Sequence, residues 1–487
     1  MVAFEELQAE LGAALALNTA GCNEPHVLVA LPSFSVGETP LAHYADRIPA
    51  LEHRYLLAQL MLPRIDGCEM VFVSSEAPSQ EILDYYRSIV PEEHRAAMRE
   101  RFRLLEVPDR SARAVAAKLL DRPDLIADLR QSFGGRPAFI EPWNVTGDEV
   151  RLAELLSAPI NGTAPELWPL GFKSAGRRLF REAGVPAPHG VEDVRSVDDV
   201  MTAIDSIAAA RPGAAGVVIK TDDSVAGDGN QVLRFRPGRS RDALRSELED
   251  LPGWYLSDLA HGGVVEELVT GRRFTSPSVQ VDIQPNGEPL VLATHEQVLG
   301  GDNGQVYVGC RFPADAAYAP LLGRHGAAVG AVLARRGALG RFSVDFAAAQ
   351  RGDGAWDVYA LEINLRKGGT THPYATLRNA APGRYDVESG QWRTADGSIR
   401  CYESTDNLVD PAWRGRPPGS VIEAVRAAGL QFEPRVQVGV VLHMLSCLAI
   451  DGRFGATAIG TSRAHAAELY AATVAAVQTS DADLHGA

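Results

Sequence analysis

Two short segments carry acids at positions where a buried strand would be expected to carry none. Gly340-Arg341-Phe342-Ser343-Val344-Asp345-Phe346 alternates like a strand, and so does Val358-Tyr359-Ala360-Leu361-Glu362-Ile363-Asn364-Leu365-Arg366, with Gly352-Asp353-Gly354 between them. The pattern predicts a hairpin-like strand pair. Glu362 and Asn364 stand two apart and share one face, and Asp345 on the neighbouring strand can point to that face. A charge in an apolar strand is costly unless it is paired or bound to a metal. Two carboxylates and an amide oxygen are hard ligands that suit Mg²⁺ held with phosphates. The competing reading is a structural ion pair of one acid with Arg341 or Arg366.

The chain is 487 residues long, too many for one ordinary core, so roughly two to four domains are expected. Its 47 basic and 62 acidic residues give a net charge of −15. That argues against a nucleic-acid partner, which needs clustered Lys and Arg, but leaves room for a small basic pocket. Cys22, Cys68, Cys310, Cys401 and Cys447 lie too far apart for a zinc ribbon or redox pair. They predict reduced thiols in a cytoplasmic protein. Met1–Glu10 has acids and no basic n-region, so no signal peptide is expected. The longest apolar stretch, Val436–Ile450, is interrupted by Gln437, Gly439, His443 and Ser446. It is too short and too mixed to span a membrane.

Apolar runs at Val27–Leu31, Val71–Val73, Phe102–Leu105 and Ala138–Ile140 read as strands. Arg54–Met61 and Ile82–Ile89 between them have helical patterning, which together predicts an α/β layer with a parallel sheet. The loop Pro32–Gly37 follows the first strand, where open α/β sheets bind ligands, so Ser33 and Ser35 are substrate-site candidates. A boundary falls near Pro159–Pro169, followed by a helix over Phe172–Ala183 that Gly184 and Pro186 terminate. Further on, Gln391–Thr394 and Ser398–Tyr402 flank a hairpin turn, Val436–Val441 reads as a strand and Ser462–Val477 as a helix.

Val217-Val218-Ile219-Lys220 is a strand ending in a lysine, and Thr221 to Asn230 is a small, polar, glycine-containing loop. Such a loop can bring backbone N–H groups to phosphate oxygens, with lysine adding a point charge. In isolation either feature reads equally as a solvated strand exit. Val264-Val265-Glu266-Glu267-Leu268-Val269 is a second strand running into a turn, whose free backbone groups can pair with an adenine edge.

These pieces in this order resemble the ATP-grasp superfamily, over roughly Ala138–Pro373. A closer resemblance is to the pheganomycin-type peptide ligases, carried by Asn144-Val145-Thr146, Leu167-Trp168-Pro169-Leu170-Gly171-Phe172-Lys173-Ser174, Thr294–Gly301, Gly309–Pro313 and Leu442–Leu445. The resemblance implies a mixed α/β (α+β) fold, a parallel-sheet pre-ATP-grasp domain followed by a two-lobed ATP-grasp fold. Its expected parts are an N-terminal helix over 1–24, the first domain over 25–165, the ATP-grasp domain over 166–380 with lobes meeting near 270, and a C-terminal segment over 381–487 that covers the acceptor site.

It further implies ATP and Mg²⁺ as cofactors, with a carboxylate donor, an amino-acid or peptide amine as acceptor, and a homodimer as one assembly open to the chain. Lys173, Lys220, Ser224, Gly227, Gly229 and Asn230 match the phosphate site, and Glu266, Glu267, Leu268 and Val269 the adenine hinge. Asp345, Glu362 and Asn364 match the metal ligands, while Arg366 and Lys220 match the catalytic positions. His295, Arg311 and His372 join Ser33 and Ser35 as substrate candidates. One departure is that many members place a ribose-binding glutamate where this chain has Arg273. The implied reaction is amide formation through an acyl phosphate. A non-catalytic ATP-binding protein and a phosphotransferase on the same fold are the alternatives. A protein kinase is not: the glycine loop follows Lys220, and Asp345-Phe346 is followed by Ala347.

Overall fold

The structure is a computed structural model that describes residues 3–224, 229–236, 238–300 and 306–485. Its first sheet is parallel throughout: His26–Leu31, Cys68–Ser74, Phe102–Glu106 and Ala138–Pro142 lie in the spatial order third, second, first, fourth. Both faces are covered, which is why these strands read as continuous apolar runs. Val27, Val29, Val71 and Ile140 pack in one cluster, while Leu28, Met70, Phe72 and Phe139 pack in another. The strand order reverses between the first and fourth strands, so the loops leaving both open at one switch point.

Three local expectations change. The single N-terminal helix expected over 1–24 is two short ones, Phe4–Gln8 and Leu11–Leu17. Leu7 is drawn to the first core cluster and Leu11 and Ala14 to the second, so the chain turns between them. Arg54–Arg64 is a 3₁₀ helix that contains Pro63, which cannot donate a backbone hydrogen bond. The strand expected at Val436–Val441 is displaced to Gly439–His443. Arg400 takes the carbonyls of Val436 and Gln437, and Gln437 has φ of 55°, so neither can join the ladder.

A second sheet of Gly190–Val191, Gly263–Glu267, Gly216–Thr221 and Asn230–Arg234, in that order, is antiparallel. Helices Val197–Ala210 and Gly253–His261 supply its core, with Ile204, Ile207, Tyr255 and Leu259 buried against Val217 and Ile219.

Among the described residues the third sheet has 11 strands. Trp356–Asn364, Gly340–Gln350, Pro277–Ile283, Pro289–Gly300, Val306–Phe312 and Ile399–Val409 are consecutive antiparallel neighbours. The boundary expected near 380 does not divide this sheet, because Val306–Phe312 pairs with Ile399–Val409 across it. Phe342, Val344 and Phe346 point into the core beneath, against the helix Ala319–Arg335. Each such side chain contributes roughly 1.5–3 kcal/mol of burial. The alternate residues, Arg341, Ser343 and Asp345, are thereby left facing the cleft.

Candidate active site

The strand pair places Asp345 directly opposite Glu362, and Ser343 opposite Asn364. Asn364 donates from Nδ2 to Asp345 at 3.0 Å, and Gln297 donates from Nε2 to its other oxygen at 2.7 Å. Burial and the Glu362 charge push Asp345 up to about 7. Two facing carboxylates, with two amides bonded to Asp345, form an electron-rich oxygen set, which a divalent cation would balance.

Cations reach the pair from the second sheet and the helix before it. Lys173 begins the helix Lys173–Glu182 and is buried. Its ammonium donates to Glu362 at 3.1 Å, to Ser224 Oγ at 2.9 Å and to the Ser224 carbonyl at 3.2 Å. Lys220 pairs with Glu266 at 2.5 Å, and Arg177 holds the other oxygen of Glu266. The Glu266 side chain is therefore a buried anchor for two cations. Glu267 and Leu268 spend their N–H groups on the carbonyls of His189 and Gly216. Val269 is the first residue of the hinge beyond these bonds, and it lines a cleft together with Leu268 and Asn230.

The Ser224–Asn230 loop needs glycine at its closure. A Cβ on Gly229 would lie 2.3 Å from Thr221 Oγ1 and 2.5 Å from Ser224 Cβ. Gly227 lies outside the described residues. Asn230 faces Lys220 across the strand pair.

Arg366 follows the strand Trp356–Asn364. Its guanidinium lies 4.8 Å from the centroid of the Trp143 ring and donates to the Lys367 carbonyl at 3.1 Å. Trp143 comes from the loop after Ala138–Pro142, so an end of the first sheet meets the arginine. Lys220, Asn230, Asp345, Glu362, Asn364 and Arg366 line one cavity of about 290 Å³. Cations, amide groups and paired carboxylates around one space suit a polyphosphate with its metal at one end and a second anion at the other.

Comparison with known proteins agrees with this arrangement. The chain is 31% identical over 444 residues to the L-propargylglycine–L-glutamate ligase of Streptantibioticus cattleyicolor, covering 86% of this chain and 89% of that one. The chain belongs to the ATP-grasp carbon–nitrogen ligases. Residues 420–473 of the ligase match the family described as PGM1 C-terminal domain. It is also 23% identical over 342 residues to IQ motif-containing protein H of Danio rerio, covering 58% of this chain and 32% of that protein. Its fold is shared with N5-carboxyaminoimidazole ribonucleotide synthetase in an ADP complex. There the TM-score is 0.52, with 13% identity, over 93% of this chain and 96% of that one.

The remaining candidates of the ligase lie in other surroundings. Ser33 and Ser35 share a 2.8 Å hydrogen bond, and Ser35 donates to Glu149 at 2.5 Å. Glu149 is also half of the capping box with Thr146 that starts the helix Gly147–Leu156. These serines pin the switch-point loop to a helix end. His295 is fully buried, bonded to the Tyr402 hydroxyl at 2.6 Å and packed on Phe312. Arg311 is half-exposed and pairs with Glu403. His372 is buried with His443; both meet Asp406 at 2.8 Å, and Arg54 holds the second oxygen of Asp406 at 2.6 Å. Two imidazoles and a carboxylate are also a metal-ligand set, but Arg54 already supplies positive charge there. This network anchors the start of the helix Thr371–Ala380, directly behind the cavity-lining Gly368–Thr370. Arg273 is exposed and lies over the Trp356 ring at 5.5 Å.

Sequence reading missed Trp143, Arg177 and Gln297 as parts of the site. Gln297 sits in an alternating strand, so its polar neighbours gave it no distinction. Nothing local to Trp143 or Arg177 signals that they meet Arg366 and Glu266.

Proposed function

We propose that this ligase uses ATP and Mg²⁺ to activate a substrate carboxylate as an acyl phosphate and joins it to the amine of an amino acid or peptide. The observation that carries the reading is the single cavity in which Asp345, Glu362 and Asn364 face Lys220 and Arg366. The facing carboxylates, with Asp345 raised by burial and by Glu362, fit a hard divalent cation. Asp345, Glu362 and Asn364 would hold Mg²⁺, which when bound neutralises charge on phosphate oxygens.

Lys220 and the Ser224–Asn230 loop hold the triphosphate, and the Val269 amide meets the adenine edge. Lys173 balances Glu362 before the nucleotide enters and is then free to turn to the phosphates. Arg366, held flat on Trp143, steadies the carboxylate that attacks the γ-phosphoryl group. Its oxygen forms the new bond to phosphorus as ADP leaves. The amine nitrogen then bonds the acyl carbon, the carbon–oxygen bond breaks, inorganic phosphate leaves with the electron pair, and the nitrogen loses its proton. Trp143, packed over Arg366, limits water, which would hydrolyse the intermediate. The five cysteines are all free, in keeping with a cytoplasmic enzyme. Among the described residues no helix is long and apolar enough to cross a membrane.

The first substrates to test are the two amino acids in the relative's name, L-propargylglycine and L-glutamate, and then the common L-amino acids in pairs. ATP-dependent phosphate release with an acid, and a hydroxamate when hydroxylamine replaces the amine, are the expected results. Phosphorylated acid or alcohol as the final product, with no amide from any pair, would refute the proposal.

A further inference from the structure

The polar face of the large sheet continues past the metal end. On Pro277–Ile283, Ser278, Gln280 and Asp282 alternate onto one face, directly opposite Asp345, Ser343 and Arg341. Asp345 and Arg341 are four residues apart, about 13 Å along a strand. At the Arg341 end lies a second cavity of about 360 Å³, between the first domain and the sheet. The segment Arg366–Thr371 forms the wall between the two cavities: Arg366 and Thr370 line the first, Lys367 and Thr371 the second.

The lining of this cavity is unusual in its charges. Glu141 pairs with Lys367 at 2.5 Å and Asp282 with Arg341 at 3.5 Å. Arg378 at the rim has no acid partner among the described residues. The charged lining residues are thus three bases and two acids, an excess of one positive charge. Trp143 Nε1 and Asn379 Nδ2 are buried there without a hydrogen-bond partner among the described residues. Buried polar atoms of a native fold normally find partners, so these groups mark a place where a polar ligand completes the set. Leu28, Leu31, Met61, Leu292 and Tyr374 give part of the remaining lining an apolar surface, with Asn18, Thr19 and Gln284 among the polar residues beside them.

We propose, resting on the ligase reading, that this cavity binds the acceptor, an α-amino acid with an apolar side chain. The reacting form of such an acceptor is a free amine with an intact carboxylate, and it carries one negative charge, which matches the excess of one positive. The carboxylate meets Arg378, the side chain lies on Leu28, Met61 and Leu292, and the amine points past Lys367 toward Arg366. The donor acid stays in the first cavity.

The test varies the amine at saturating ATP, Mg²⁺ and acid. Arg378→Ala is expected to raise the amine KM by about 10- to 100-fold, the scale of one charge-assisted hydrogen bond, with Arg378→Lys restoring part of it. Ala375→Phe, which fills the cavity from the helix Thr371–Ala380, is expected to do the same, while KM for ATP and hydroxamate formation from the acid stay within about two-fold. An unchanged amine KM in both variants, or a rise in the acid KM instead, would overturn the inference. Calorimetric titration with L-propargylglycine and the common apolar L-amino acids, without turnover, gives an independent reading. Binding lost in Ala375→Phe supports the site, and binding unaltered there overturns it. Binding without hydroxamate formation from any acid would sink the ligase reading alone.

Discussion

Replacing Glu362 by Gln removes one charge and keeps the shape, so the structure allows its effects to be separated. Two opposing changes act on stability. Lys173, only 4% exposed at its side chain, loses an ion pair whose carboxylate is 30% exposed, a loss of roughly 1–2 kcal/mol after solvent screening. Asp345 loses the like charge opposite it, a gain of similar size. The net change is within about 1 kcal/mol, which for a chain of this length moves Tm by about 2 °C or less. Catalysis responds differently, because a carboxylate proposed to hold Mg²⁺ is replaced by a weaker neutral ligand. A loss of about 4 kcal/mol in transition-state stabilisation, or about 1,000-fold in kcat/KM, is expected. The assay is ATP-dependent phosphate release and hydroxamate formation, with a thermal melt on the same sample. Turnover within about ten-fold of the wild type would refute the metal assignment. A Tm drop of about 10 °C would instead make Glu362 a structural partner of Lys173.

Three further outcomes follow from the same geometry. Lys220→Met leaves Glu266 paired with Arg177, so the fold should persist at a cost of about 1–3 kcal/mol, while the KM for ATP rises about ten-fold or more; an unchanged ATP KM refutes a phosphate role. Trp143→Ala removes the ring under Arg366, worth about 1–2 kcal/mol, so kcat should fall about ten-fold with ATP binding kept, as nucleotide titration would show. Burial holds His295 down at about 3 against 6.5 when unfolded, so protonation favours the unfolded chain. Its share of stability is full above pH 6.5 and falls as pH drops toward 3, by about 2 kcal/mol at about pH 5. His295→Phe should flatten the Tm loss over that interval by this amount, and an unaltered slope refutes the assignment.

Much of the site was legible because its signals are local. The period-two alternation that buries Phe342, Val344 and Phe346 forces Asp345 to the opposite face, and the same rule puts Glu362 beside Asn364. The continuous apolar runs of the first four strands announce a sheet covered on both faces. The histidines show the opposite case. His295 lies in the middle of the strand Pro289–Gly300 and His372 at the start of the helix Thr371–Ala380, and only packing reveals that both are buried. Glu266 shows a mixed case: its place at the strand end was legible, but its side chain serves Lys220 and Arg177.

By itself the sequence determined the strand pair, its acid–acid–amide pattern, the arginine two residues on, and the lysine-and-glycine loop, since each depends on spacings of a few residues. Tertiary structure alone decided that Asp345 stands directly opposite Glu362, a register that carries an irregularity at the next residue. It alone brought Lys173 to Glu362 across 189 residues and set Trp143 under Arg366. Those meetings depend on how three sheets pack, and packing is the sum of many weak apolar contacts that no short window of sequence contains.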